Sequence, residues 1–204
     1  MSLYRRYIIP FLIDRSMRNR RLTPYRREVA GAAEGRVLEI GLGSGLNLPH
    51  YSPSLGAVVG VEPDARLLNL AARRGGCEGP AFEPVRAGAE ALPFESASFD
   101  TVVSSFTLCS IPDAARALGE TRRVLRPGGR FLFVEHGLSS DASVSRWQDR
   151  LDPVWTRISG GCHMNRPIAA LVEAAGFAID GLRTEYAEGP RILTYLYVGR
   201  ARPV

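Results

Sequence analysis

Two carboxylates bracket a run of glycines. Glu39 comes just before Gly41, Gly43 and Gly45, and Glu62 stands 21 residues after Gly41. Glycine tolerates positive φ and has no Cβ, so a turn over Gly41-Leu42-Gly43-Ser44-Gly45 can be tight and let a ligand lie against bare backbone. A carboxylate in the place of Glu62 can accept from both hydroxyls of a ribose. Dinucleotide sites space their glycines G-x-G-x-x-G. Here the third glycine comes one residue early, and Leu46 stands where it would fall. Two nearby carboxylates disfavour a pyrophosphate and favour a ligand with a ribose and a cationic tail.

The elements that would hold these residues read as alternating strands and helices. Val37 to Ile40 is a short apolar strand, buried on both faces. A short helix is expected from near Ser44, ending by Pro49. Ala57 to Glu62 is the second strand, and Pro63-Asp64 opens a helix from Ala65 to about Arg74. Ala81 to Ala87, weakened by Pro84, and Asp100 to Ser105 are strands three and four. A helix from Pro112 to Leu125 stops at Pro127-Gly128-Gly129, and Arg130 to Glu135 is strand five. The pattern loosens from Leu138 to about Asn165. It resumes with a helix from Arg166 to Ala175 and two strands, near Phe177–Thr184 and Ile192–Gly199. Such alternation implies a parallel sheet covered on both faces. Residues 1–33 form a basic, amphipathic lead-in, helical from Ser16 and interrupted near Thr23-Pro24. Residues 34–204 form a single domain.

Composition sets limits. The chain has 204 residues, 45% hydrophobic and 23% charged, with a net charge of +5. That is ordinary for one globular domain. No apolar run is long enough to span a bilayer. Tyr7–Ile13 is apolar, but it contains Pro10 and is followed by Asp14 and Arg15 without a small-residue cleavage site, so no signal peptide is expected. Every basic residue is arginine, and eight fall between Arg5 and Arg27. Such a stretch attracts phosphate or an anionic membrane surface; a solvated helix is the plainer alternative. It lacks a nucleic-acid-binding motif, so nucleic acid is not expected. The cysteines are Cys77, Cys109 and Cys162. They form no C-x-x-C pair, which suggests a reducing, cytoplasmic setting. Their spacing suggests no zinc site, and no metal is expected.

S-adenosylmethionine carries a ribose, an ammonium and a sulfonium, and no phosphate, so it suits the two carboxylates. The chain resembles the class I S-adenosylmethionine-dependent methyltransferases over roughly residues 35 to 136. Val37-Leu38-Glu39-Ile40-Gly41-x-Gly43-x-Gly45 resembles their first motif, and Gly60-Val61-Glu62-Pro63 the acidic end of strand two. Ala89-Glu90-x-Leu92-Pro93-Phe94 with Ser98-Phe99-Asp100 resembles the adenine-side loop. Arg122 to Gly129 resembles the turn before strand five. The resemblance implies a Rossmann-like α/β fold: a seven-stranded, mostly parallel sheet with helices on both faces and a C-terminal antiparallel strand pair. It implies that Gly41, Gly43, Gly45 and Asn47 line the methionine part, with Glu39 near its ammonium. Glu62 and Pro63 would face the ribose, Ala89 and Glu90 the adenine, and Ser105 and Phe106 the reacting methyl. Many relatives have Asp where Gly88 stands, and Glu90 or backbone atoms would take over its contact. As plainer alternatives, Glu62 is a strand-end acid near Arg66 and Glu90 a surface carboxylate.

A narrower resemblance reaches the C-terminal part. Phe106-Thr107-Leu108-Cys109-Ser110, Val134-Glu135-His136, Trp147-Gln148, Pro153-x-Trp155 and Gly160-Gly161-Cys162 resemble a subgroup that includes thiol methyltransferases and phosphatidylethanolamine N-methyltransferase-like proteins. It implies a small-molecule or lipid acceptor, a thiol or a phospholipid amine. His136 and His163 are the candidate bases, since histidine titrates near neutral pH; a structural role is the alternative for each. Cys109 and Cys162 are expected to pack rather than react, because methyl transfer needs no covalent intermediate. Trp147 and Trp155 are expected in a lid or core rather than a cation cage. A non-catalytic module that binds the cofactor and a membrane or protein partner is the competing function. A nicotinamide dehydrogenase is a distant third.

Overall fold

The computed structural model describes residues 9–75 and 80–204. Arg5, Arg6, Tyr7, Ile8 and Cys77 fall outside them. Seven strands form one sheet in the order β3-β2-β1-β4-β5-β7-β6. They are β1 (Val37–Ile40), β2 (Ala57–Val61), β3 (Ala81–Val85), β4 (Phe99–Ser105), β5 (Leu125–His136), β6 (Phe177–Tyr186) and β7 (Tyr195–Pro203). The first five run parallel, and β7 inserts antiparallel between β5 and β6. This is the α/β architecture expected. Pro84 costs little because β3 is an edge strand, paired to β2 alone.

Alternation along the strands builds two apolar layers. Leu38, Ile40, Val59, Val102, Phe131 and Phe133 point to one face and meet Leu118 of α4 (Ala114–Val124) and Ile168 of α6 (Ile168–Ala174). Val37, Val58, Val103, Leu132 and Val134 point to the other. They meet Val29 and Ala30 of α2 (Thr23–Gly31) and Ala71 of α3 (Ala65–Gly75). Glu39 alternates onto this second face, beneath α2.

Several expectations are corrected. The lead-in is α1 (Ile9–Met17), a single 3-10 turn at Arg20–Leu22, and α2. It is helical before Ser16 and breaks near Arg18-Asn19. Pro24 does not break it, because it sits in the first turn of α2, where a missing N–H is harmless. No α-helix follows the glycine turn directly. Leu48–His50 is a 3-10 turn, and α3 is the first α-helix after β1. Arg126 to Gly129 form an irregularity inside β5 rather than a stop before it.

The largest correction concerns residues 138–165, read as loose. They contain α5 (Ala142–Ile158), 17 residues long and capped by Asp141, whose side chain accepts from Ser143 N at 2.8 Å. Its face pattern is inverted. The buried side carries Val144, Gln148 and Asp152. The exposed side carries Trp147, Leu151, Val154 and Ile158, at 54, 37, 58 and 56% exposure. Gln148 Oε1 accepts from Ser139 N at 2.8 Å, while its Nε2 donates to Gly137 O and Ile192 O at 3.1 Å each. The apolar residues of α5 do recur at helical spacing, but Pro153 lies inside the helix, and a proline within a helical pattern reads as a break. A short α7 (Arg191–Thr194) precedes β7.

Candidate active site

The carboxyl ends of β1, β2 and β4 open into a cavity of about 370 Å³. Open parallel sheets bind ligands at this edge. The three glycines of the turn all have positive φ, +64° at Gly41, +57° at Gly43 and +78° at Gly45. Their reasons differ. A Cβ on Gly41 would lie 2.0 Å from Thr107 Cγ2, and one on Gly45 would lie 2.9 Å from Leu48 Cδ1 and 3.0 Å from Ala71 Cα. Those two glycines allow close packing. A Cβ on Gly43 would meet only Gly41 O, at 3.9 Å, and would project into free space at the cavity wall. That is backbone bared to a ligand.

Glu62, at the end of β2, braces the turn. Its Oε2 accepts from Gly43 N at 3.0 Å and its Oε1 from Asp64 N at 2.9 Å. Burial pushes its carboxyl above the ordinary range, although both N–H groups oppose the shift. Pro63 and Asp64 line the cavity beside it.

The floor is a buried polar network, in which Arg26, Glu39 and Ser105 reach the cavity. Glu39 Oε1 accepts from Asn47 Nδ2 at 2.8 Å, and Glu39 Oε2 from Tyr51 OH at 2.8 Å. Asn47 Nδ2 also donates to Ser105 Oγ at 2.9 Å, and Asn47 Oδ1 accepts from Arg26 Nη1 at 2.8 Å. Burial raises Glu39 to about 7 and lowers Arg26 to about 10. Arg26 also stands 5.0 Å over the Phe106 ring. Phe106 itself has φ +56°, a strained conformation for a bulky residue just past β4. Its N–H donates to Val134 O at 2.8 Å.

Of the residues singled out from the sequence, Glu39, Gly41, Gly43, Glu62, Pro63, Ala89, Glu90, Ser105 and Phe106 line the cavity. Gly45 and Asn47 lie behind its wall. Gly88 lines it too, and Glu90 Oε2 lies 3.0 Å from the point where a Cβ at position 88 would stand. The Glu90 carboxylate thus sits beside the place left by the missing side chain. His136 and His163 are not among the lining residues. Burial lowers His136 to about 4, so it is neutral at pH 7. His163 is half-buried, and its Nδ1 pairs with Asp152 Oδ2 at 2.8 Å.

Sequence reading missed the contribution of the lead-in. Asp14, Met17 and Arg26 line the cavity. Arg74 of α3 donates to Ser44 O and Oγ at 2.6 Å each and to Asp14 Oδ1 at 3.2 Å, joining α1, α3 and the glycine turn. It also missed the far wall, Ser110, Ile111, Pro112 and Gly160. Ser110 and Gly160 lie in stretches that carry the subgroup resemblance, but only the fold brings these four residues to the glycine turn.

The donor set fits S-adenosylmethionine. Carboxylates at Glu39, Glu62 and Glu90, bare backbone at Gly43, and apolar walls from Leu42, Leu67 and Ile111 suit a cationic amino-acid tail, a ribose and a purine. The family model for the methyltransferase domain matches residues 38–133. A human protein named as a thiol S-methyltransferase is 30% identical over 192 residues, which are 91% of this chain and 77% of that one. A phosphatidylethanolamine N-methyltransferase of Cereibacter sphaeroides is 38% identical over 120 residues, 56% of this chain and 58% of the relative. Among solved structures, a methyltransferase of Methanosarcina mazei superposes with a TM-score of 0.68 at 26% identity, covering 83% of this chain and 92% of the other. The chain belongs to the S-adenosylmethionine-dependent methyltransferases, and S-adenosylmethionine is its co-substrate.

Proposed function

We propose that the chain, with residues 34–204 as the methyltransferase domain and 1–33 as a lead-in that borders its site, methylates a small thiol. The observation that carries this reading is a single cavity joining the glycine turn and Glu62 to the apolar wall of Phe106, Ile111 and Pro112. The similarity to a thiol S-methyltransferase across 91% of the chain supports it. Bound here, the co-substrate supplies a methyl group on a sulfonium, which is already a good leaving group. Glu62 would accept from the ribose hydroxyls, beside Pro63. The Gly41–Gly45 backbone would lie along the methionine part, with Gly41 and Gly45 shaping the turn and Gly43 in contact. Glu39 would offset the ammonium charge, held in place by Asn47. Ala89 and Glu90 would border the adenine, and Ser105 and Phe106 the reacting methyl. Holding acceptor and methyl in line supplies much of the rate. His136 and His163 stand off the cavity wall, so the reading rests on positioning rather than on a histidine base.

A phospholipid amine acceptor is the second reading, favoured by the exposed stripe of α5. Trp147, Leu151, Val154 and Ile158 are flanked by exposed Arg146, Arg150 and Arg157. Exposed Arg15, Arg20 and Arg27 extend the basic surface on the lead-in. An apolar stripe with basic flanks suits peripheral contact with an anionic membrane from a cytoplasmic, reducing side. Among the described residues no helix is long and apolar enough to cross a membrane.

Calorimetry with S-adenosylmethionine tests the shared premise. Binding is expected, with a loss of about 100-fold or more in Glu62→Ala, since each hydrogen bond to a charged group contributes about 1.5–3 kcal/mol. No binding at millimolar co-substrate would refute it. Methyl transfer to a small alkyl thiol without vesicles selects the thiol. Activity only on anionic phospholipid vesicles selects the lipid. Binding without turnover on any acceptor would favour a non-catalytic module.

A further inference from the structure

Three side chains that the reading above does not use meet behind the cavity wall. Cys109 lies in the turn after β4, His136 ends β5, and Cys162 sits in the loop after α5. Their donor atoms all lie within 4.8 Å of one another, and no other such group of three occurs among the described residues. Cys109 Sγ and Cys162 Sγ are 3.7 Å apart, and Cys162 Sγ and His136 Nε2 are 3.2 Å apart. Zinc–sulfur and zinc–nitrogen bonds of ~2.3 and ~2.0 Å give tetrahedral edges of about 3.8 Å between two sulfurs and about 3.5 Å between sulfur and nitrogen. Both observed edges are within a few tenths of an ångström of these.

The donors are held by backbone. His163 N–H donates to Cys109 O at 2.8 Å, and Met164 N–H donates to Asp152 Oδ1 at 2.8 Å, pinning the loop that carries Cys162. Within the cluster, His136 Nδ1 is buried and has no hydrogen-bond partner among the described residues. The residues lie far apart in sequence, which is why their spacing suggests no metal.

We propose that Cys109, His136 and Cys162 bind a zinc ion, with a fourth position left open. Two thiolates and an imidazole select a borderline-soft d10 cation over magnesium or calcium, which take oxygen ligands. Both cysteines lose their protons when the ion binds. Three protein ligands with an open fourth position is the pattern of catalytic rather than structural zinc. Ser110, next to Cys109, and Gly160, two residues before Cys162, line the cavity. A thiol acceptor entering the open position displaces water, gives its S–H proton to solvent and is held as a thiolate. Its lone pair then forms the S–CH3 bond as the sulfonium C–S bond breaks, and the leaving group departs as a neutral thioether. This last role rests on the thiol reading; zinc binding itself does not.

The test uses the full chain, purified in reducing buffer and loaded with Zn2+ or Co2+. Elemental analysis is expected to find about one metal per chain. X-ray absorption should show two sulfur donors and one nitrogen, and the Co2+ form should show thiolate charge-transfer bands. Cys109→Ser, Cys162→Ser and His136→Gln should each weaken binding about 100-fold or more, while Cys77→Ser keeps it. Thermal unfolding checks that each variant folds. If the serine variants do not fold, the Co2+ spectra of the unaltered chain and of His136→Gln decide. A folded chain that takes up no metal, or binds it equally well without Cys109 or His136, overturns the site. A Co2+ spectrum indifferent to a small alkyl thiol overturns the acceptor role. Failure to bind S-adenosylmethionine would count against the methyltransferase reading and leave the metal result standing.

Discussion

Arg26 reaches from α2 to Asn47, its Nη1 donating to the amide oxygen at 2.8 Å. The bond joins the basic lead-in to the floor of the cavity, because Asn47 passes the connection to Glu39 and Ser105. Arg26 thus has a different role from its exposed neighbours. It is buried, it sits over Phe106 at 5.0 Å, and Glu39 and Glu135 both favour its charge.

Removing that guanidinium should loosen site and fold together. In Arg26→Met, Asn47 Oδ1 loses a buried donor and Glu39 its nearest positive charge. The expected cost is about 3 kcal/mol, in line with breaking a buried charged contact from one side. Urea unfolding would measure it. Co-substrate affinity should fall in the same variant, because Asn47 and Ser105 lose their anchor. Arg27→Met, one residue along and exposed, should change stability by less than about 0.5 kcal/mol.

The two nearest glycines should fail in opposite ways. Gly43→Val directs its side chain into the cavity, where the fixed neighbour of its Cβ is Gly41 O at 3.9 Å. The chain should fold with a backbone penalty of about 1–2 kcal/mol for positive φ, and lose co-substrate binding. Gly41→Ala places a methyl 2.0 Å from Thr107 Cγ2 and 2.5 Å from its Oγ1. That hydroxyl donates to Gly41 O at 3.1 Å, so the clash breaks a bond that positions β4. Gly41→Ala should be the less stable of the two by thermal unfolding, and binding measured on its folded fraction should be less affected.

How much of this was legible in the sequence varies residue by residue. Strands β1, β2 and β4 were read almost to the residue, because short apolar runs bounded by turns leave little choice. Glu62 and the glycine turn were visible because their chemistry is local. Arg26 was read only as one of eight basic residues, since nothing in a linear sequence separates a buried arginine from exposed ones. Helix α5 escapes a sequence reading because Pro153 lies inside it and interrupts the helical pattern; that its apolar face, Trp147 to Ile158, points outward while Gln148 and Asp152 face in is visible only in the fold. The spacing of Cys77, Cys109 and Cys162 suggests no zinc site, and nothing in it points to a cluster of Cys109, His136 and Cys162. Its ligands come from three separate elements, and only the packing of the loop after α5 against the end of β5 brings them together.

Glu39 should make both stability and binding depend on pH. Its folded value is about 7, raised by burial, against about 4.3 in an unfolded chain. Between those values the folded protein holds a proton that the unfolded chain has lost, so stability falls as pH rises from about 4.3 to about 7 and then levels. Glu135, also raised to about 7 by burial, adds in the same direction. A cationic co-substrate favours the carboxylate, so its binding should strengthen toward pH 7.5 and release protons near pH 6.5. Titration calorimetry in buffers of different ionisation enthalpy measures the release. Glu39→Gln should remove most of it. Heats that do not vary with buffer near pH 6.5 would show that Glu39 keeps its proton state on binding.

The outer stripe of α5 should govern membrane contact without supporting the fold. Trp147, Leu151, Val154 and Ile158 recur along one exposed face, and Arg150 lies 5.5 Å from the Trp147 ring. Entry of each such side chain into the headgroup boundary is worth about 1.5–3 kcal/mol at full burial, so even partial entry of two of them is felt. Val154→Glu with Ile158→Glu should leave the thermal midpoint nearly unchanged, since both side chains are more than half exposed. The same pair should lower partitioning onto anionic vesicles about 10-fold or more, and added salt should weaken what remains by screening the arginines. Sedimentation with vesicles of phosphatidylcholine alone, against the same lipid mixed with phosphatidylserine, separates the two contributions. Retention of full binding by the double variant would move the contact to the arginines of the lead-in, where Arg15→Ala with Arg20→Ala should then abolish it.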